Sequence, residues 1–193
     1  MLLLLYVNDI ILTGNDHSLL TSFVNTLGKE FELSDFALYP IEATFSSTGM
    51  RLSQLKYTLD LLKKFSMTEC KLCSTPVCAK KQLSSSDGDP LADATVYRQL
   101  VGSLQYLTFT RPDIAYAIHH VAQFMSNPRS THLLAAKRIL RYLKGTVGFG
   151  LFYRQLAPSL TIRSYFDADW ADFLDIRRFT TGFYMFLGPN LIS

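Results

Sequence analysis

The sequence predicts an α+β protein, with strands toward its two ends and helices between them. Three observations carry this. Near the start, short runs of Leu, Ile and Val are bounded by polar breaks, as in buried strands. Between residues 93 and 147, apolar residues recur at the spacing of one helix face. After Gly145 that period is lost and aromatic, β-favouring residues take over.

With 193 residues, 48% of them apolar, the chain has material for a substantial core. Its net charge of +3 is mildly basic and by itself points to no partner. Cys70, Cys73 and Cys78 cannot all pair, which predicts a reducing, intracellular compartment and no disulfide framework. Their spacing lacks a fourth ligand and a nearby histidine, so they read as incidental thiols rather than a zinc site. The apolar start has no basic flank and is interrupted at Asn8-Asp9, unlike a secretory leader. No run approaches the roughly 20 apolar residues of a membrane helix. The expectation is a soluble chain with no membrane partner.

Residues 2–7 and 10–12 read as two strands joined by a tight turn at Asn8-Asp9, both residue types that suit turn backbone. Gly14-Asn15-Asp16 ends this hairpin and caps a helix whose buried face is Leu20, Phe23, Val24, Leu27 and Phe31. Residues 35–54 are strand-like but interrupted by Pro40 and by a turn at Ser46-Ser47-Thr48-Gly49. Residues 55–65 form a short amphipathic helix with Leu55, Leu59, Leu62 and Phe65 on one face. The polar stretch Ser84-Ser85-Ser86-Asp87-Gly88-Asp89-Pro90 reads as a linker.

Three helices follow. Tyr97, Leu100, Val101, Leu104 and Leu107 mark the first. Pro112 starts the second, where proline is tolerated, with Ile114, Ile118, Val121 and Met125 on its face; Asn127-Pro128 stops it. Ser130 caps the third, whose face is Leu133, Ala136, Leu140 and Leu143 and which ends at Gly145. The short connections predict a compact bundle. Residues 149–154, 160–166 and 181–187 read as strands.

Several stretches resemble one known family. Tyr6-Val7-Asn8-Asp9 resembles the Y-x-D-D box of reverse transcriptases. Leu52-Ser53-Gln54-Leu55-Lys56-Tyr57, then Cys73-Ser74-Thr75-Pro76, are similar to segments of copia-type LTR retrotransposon Pol polyproteins. So are Tyr97-Arg98-Gln99-Leu100-Val101-Gly102-Ser103-Leu104-Gln105-Tyr106-Leu107 and Thr110-Arg111-Pro112-Asp113. Lys137-Arg138-Ile139-Leu140-Arg141-Tyr142-Leu143-Lys144-Gly145-Thr146 is another. Asp167-Ala168-Asp169-Trp170-Ala171, Arg177-Arg178 and Thr180-Thr181-Gly182 resemble the opening of the family's RNase H domain. The resemblance runs through nearly the whole chain in order. It implies a polymerase palm remnant over residues 1–54 (hairpin plus helix) and a short helix and linker over 55–92. A thumb- or connection-like helical block over 93–147 and a truncated N-terminal part of RNase H over 148–193 complete the layout.

Nucleotidyl transfer on two magnesium ions needs several carboxylates in one place. In the family the two box acids and one upstream acid supply them. Here Asn8 stands at the first box position, an amide that brings no charge, and Asp9 at the second. Only residues 1–7 precede Asn8, none of them acidic, so the third carboxylate and the nucleotide-binding fingers are expected to be missing too. Asp167 resembles the first acid of the RNase H metal cluster, with the others expected beyond the chain's end; Asp169, Asp172 and Asp175 read as solvated loop charges. The family's longer, glycine-bearing strand is replaced around residues 36–42 by a shorter stretch carrying Pro40.

Lys137, Arg141 and Lys144 fall on one helix face, with Arg138 beside it; Arg177 and Arg178 form a second basic pair. The resemblance implies that such residues touch the backbone of an RNA/DNA template–primer duplex, while by composition they equally read as solvated charges. Tyr142 and Trp170 read as core aromatics or base-stacking partners. The expectation is therefore a truncated remnant of a reverse transcriptase/RNase H, without catalysis of its own and with weak or no nucleic-acid binding. No cofactor is expected in this fragment; the intact family enzyme uses magnesium. The alternative is a non-enzymatic, nucleic-acid-binding helical module.

Overall fold

A computed structural model describes residues 2–6, 9–13, 16, 18, 19, 21–23, 26, 41–78, 83–155, 161–169 and 180–192. The chain divides into two units, Met1–Pro40 and Ile41–Ser193. Helices and strands are mixed, and every strand pair among the described residues is antiparallel.

In the first unit, β1 (Leu2–Tyr6) and β2 (Asp9–Thr13) form the expected hairpin. Its register closes on Tyr6 opposite Asp9. Asp9 therefore opens the second strand rather than sharing the turn with Asn8, which lies outside the described residues. The Asp16 carboxylate accepts from the backbone N–H groups of Ser18 and Leu19 at 2.9 and 3.2 Å, the capping role expected of it. Of the helix face that follows, only Phe23 is among the residues whose side chains are described, and it is half-buried.

The second unit opens with β3 (Glu42–Ser46) and β4 (Gly49–Ser53), paired around a turn at Ser47-Thr48. Helix α1 (Leu55–Lys64) follows. Its buried face is Tyr57, Thr58, Leu61 and Leu62, whereas Leu55 and Leu59 are exposed. The expected leucine stripe was thus rotated. Tyr57 turns inward because its hydroxyl reaches the Ser103 carbonyl at 3.0 Å, which lets a polar-tipped ring be buried.

Helix α2 (Thr95–Leu107) is followed by a 3₁₀ turn (Pro112–Ile114), α3 (Ala115–Ala122) and α4 (Ser130–Gly145). Tyr97, Leu100, Val101, Leu104 and Leu107 are fully buried against Ile114, Ala117, Ile118 and Val121 and against Ala136, Ile139, Leu140 and Leu143. Each fully buried Leu or Ile contributes about 1.5–3 kcal/mol, so these stripes dominate the unit's stability. Helix α1 packs on α4 and joins this core, making a block of four helices.

The stretch read as a linker is instead stitched to the head of α4. Asp87 O accepts from the Thr131 hydroxyl and Gly88 O from the Arg129 guanidinium. The Asp89 N–H donates to Ser130 Oγ, and Pro90 bridges to Arg129. Ser130 therefore binds the strap instead of capping its own helix. Small and turn-forming residues leave their carbonyls accessible, which suits them to docking as much as to linking.

Strand β5 (Leu151–Arg154) pairs with β4, giving the order β3-β4-β5. A further sheet holds β6 (Ile162–Asp169), β7 (Thr180–Leu187) and the short β8 (Asn190–Leu191). The two sheets are joined through Asn190: its Oδ1 accepts the Arg154 N–H at 2.7 Å and its Nδ2 donates to the Arg154 carbonyl at 2.9 Å.

Candidate functional site

The residues singled out for metal chemistry lie on different strands. Asp9 occupies the first position of β2, paired across the hairpin with Tyr6. Asp167 lies on β6, exposed, opposite Gly182. Asp169 is two residues further along the same strand, opposite Thr180. Among the described residues no group of three His, Cys, Asp or Glu is placed to hold a metal ion. The donor set at the box, one carboxylate beside a neutral amide, does not fit a two-magnesium site.

The basic residues of α4 divide into two pairs. Arg138 donates from Nε to the Thr75 carbonyl at 3.1 Å and from Nη2 to the Thr75 hydroxyl at 2.8 Å. Lys144 Nζ donates to the Cys70 carbonyl at 2.8 Å, and the Cys73 N–H reaches the Arg141 carbonyl. These contacts fasten the cysteine-bearing segment along the helix. Lys137 and Arg141 side chains carry no such bond among the described residues. Arg177, Arg178 and Trp170 lie outside them.

Sequence reasoning missed the strongest constellation, which centres on Arg111. This arginine is 2% exposed, yet its charge is fully answered. Nε and Nη2 donate to the two carboxylate oxygens of Asp113 at 2.9 and 2.7 Å. Nη1 donates to the Thr146 carbonyl at 3.0 Å, and Nη2 also to its hydroxyl at 2.7 Å. The guanidinium lies 5.6 Å from the ring centroids of both Tyr142 and Phe149. The Tyr142 hydroxyl in turn donates to Asp113 Oδ2 at 2.8 Å. Burial pushes the Asp113 carboxyl up; the Arg111 and Tyr142 hydrogen bonds and the Arg111 charge outweigh that and hold it below its ordinary value. Burial, the hydrogen bond to Asp113 and its negative charge raise the Tyr142 phenol.

This network binds together stretches that are far apart in sequence. Thr110 donates to Gln54 Oε1 at 2.8 Å, so residues 52–57, 110–113 and 142–146 converge at one junction. The one available signal was the Arg-Pro-Asp order: a proline-started turn sets an arginine and an acid two residues apart on one side. The arrangement has no nucleophile or open metal position. Its chemistry is that of a partly buried, multiply hydrogen-bonded ion pair that locks geometry.

Comparison with known proteins places these stretches in context. Residues 1–79 match the family profile described as reverse transcriptase (RNA-dependent DNA polymerase). The chain is 44% identical over 99% of its length to the Retrovirus-related Pol polyprotein from transposon RE1 of Arabidopsis thaliana. It is 41% identical, over all of its length and 81% of the relative's, to an uncharacterized mitochondrial protein of the same plant. The chain belongs to the copia-type retrotransposon Pol family. The Pol polyprotein from transposon RE2 is 41% identical over 99% of the chain. The chain spans about 13% of the length of each of these two Pol polyproteins. No solved structure matches it significantly. In Pol terms, the convergence on Arg111 gives several of the family-like stretches a structural reason: they hold one another in place.

Proposed function

We propose that this chain corresponds to the region of a copia-type Pol that runs from the end of the reverse transcriptase palm into the start of RNase H, and that it does not polymerise. The carrying observation is Asn8 in the Tyr6-Val7-Asn8-Asp9 box of a segment whose strands pair as a hairpin. An amide at this position removes one negative charge from a site whose work is to hold two dications. Asp9 alone supplies one carboxylate, and Asp167 on β6 stands opposite Gly182, with no acid across from it. In the intact family enzyme magnesium would neutralise the transferring phosphate; among the described residues neither acid has companions to hold it. The RNA/DNA template–primer duplex is the partner class that fits the family. Lys137 and Arg141 are the α4 cations left to meet its backbone, because Arg138 and Lys144 are bonded to residues 70–75.

Primer extension tests this reading. The purified chain, with magnesium or manganese on a primed RNA template, is expected to extend nothing. Metal-dependent extension that disappears in Asp9→Ala would overturn it.

A further inference from the structure

One face of the β3-β4-β5 sheet brings cations and aromatic rings together. Arg51 on β4 lies opposite Phe152 on β5, so both project from the same side. Arg154, two residues on, shares that side and stands opposite Gly49. Phe149 and Phe152 are 58% and 45% exposed, and Arg51 and Arg154 are exposed as well. Arg51, Phe149, Gly150 and Phe152 line a shallow hollow of about 340 Å³. Gly150 leaves its floor as bare backbone; a Cβ there would run into the Leu52 carbonyl oxygen.

We propose that this hollow is a base-stacking site for single-stranded nucleic acid, with Phe149 and Phe152 taking a base and Arg51 and Arg154 the phosphates. Size, charge and rigidity all favour this occupant. The hollow lies at the small end of the roughly 300–1,000 Å³ range of ligand pockets, room for one flat base rather than a large cofactor. Glu42, the acid on the same face, is already engaged: it accepts the Lys56 N–H at 2.9 Å and the Ser53 hydroxyl at 3.3 Å. The two arginines therefore leave the face positive. Arg51 and Arg154 stand diagonally across β4 and β5, about 7–8 Å apart, which suits a backbone that continues past the stacked base. The buried Arg111 guanidinium lies 5.6 Å from the Phe149 ring centroid, a contact that restrains the ring before any ligand arrives. In a duplex the bases stack on one another and hide their faces, which is why a single strand is the fitting partner and a duplex is not.

The test is fluorescence anisotropy of the full chain with a labelled 12-nucleotide single-stranded DNA and with the corresponding blunt duplex, across a salt series. The single strand is expected to bind more tightly. Phe152→Ala and Phe152→Leu, each checked for native circular dichroism, are expected to weaken it by about 5- to 150-fold, the usual worth of one stacked base. Arg51→Gln is expected to lower the salt slope by about 0.7, the share of one phosphate contact on a single strand. Lys63→Gln, the same charge loss on α1, is expected to leave that slope in place. Equal affinity for duplex and single strand, an unchanged affinity in both Phe152 variants, or equal slope changes in Arg51→Gln and Lys63→Gln would each overturn the proposal. Primer extension has no part in this readout, so failure here leaves the reading of Asn8 standing, and the reverse.

Discussion

Asp113 is the residue on which the Arg111 junction turns. Removing it in Asp113→Ala leaves a buried guanidinium with only Thr146 and two rings for company. The expected cost is about 2 kcal/mol by urea denaturation, less than for a fully buried pair because the Asp113 side chain is 37% exposed. The pH dependence follows from the direction of its shift. A carboxyl whose folded-state pKa is depressed stabilises the fold above its unfolded value, about 3.9 for Asp, and this stabilisation fades as pH falls through the folded value. Asp113→Asn removes that term. The stability gap between wild type and Asp113→Asn is therefore expected to be widest near neutrality and to narrow below about pH 4, which denaturation curves at several pH values would measure. A gap that stays constant on acidification would refute the assignment.

Among the elements, the strap formed by residues 84–91 offers the sharpest prediction. Gly88 adopts φ +85°, and a Cβ there would press on Ser130 Oγ and Thr131 Cγ2. Gly88→Ala is expected to cost about 1–3 kcal/mol and to open residues 83–91 to proteases before the helices unfold. Thermal melts and limited proteolysis check both parts. The strap also marks where sequence reading stopped. Helices α2 to α4 were legible because one-faced burial imposes a period on the residues, and the β1–β2 hairpin because short apolar runs flank a turn-forming pair. The docking of the strap was not, since its bonds come from backbone carbonyls, which every residue carries. The same holds for the Asn190 clamp on Arg154, where one amide side chain stands in for a strand neighbour. At α1 the aliphatic stripe misled because Tyr57 buries its polar tip on the distant Ser103 carbonyl and Thr58 buries its own on the Gln54 carbonyl one turn back. Arg111 and Asp113 were visible only as part of a familiar stretch; their partner Thr146 is 35 residues from Arg111, beyond the reach of any local pattern.

For the molecule as a whole, the helices do not stand alone between residues 93 and 147. Tyr57, Leu61 and Leu62 of α1 are buried with them, and Gln54 meets Thr110 from the end of β4. A fragment of residues 41–155 is therefore expected to melt cooperatively, and one of 93–147 to melt at clearly lower temperature or not to fold. Each buried Leu left without its neighbours forfeits about 2–5 kcal/mol, as a cavity would. Calorimetry on the two fragments decides the matter, and equal melting temperatures would show that α1 is dispensable.

The pairing of β4 with β5 has one more consequence, a topological one. Leu52 and Leu151 are cross-strand partners, so the chain leaves the sheet and returns to it at neighbouring points, about 5 Å apart. Residues 53–150, helices α1 to α4 among them, are in effect the oversized tip of a β-hairpin. Such an insert can lengthen, shorten or be exchanged without disturbing the register that carries it, so long as its two ends still meet.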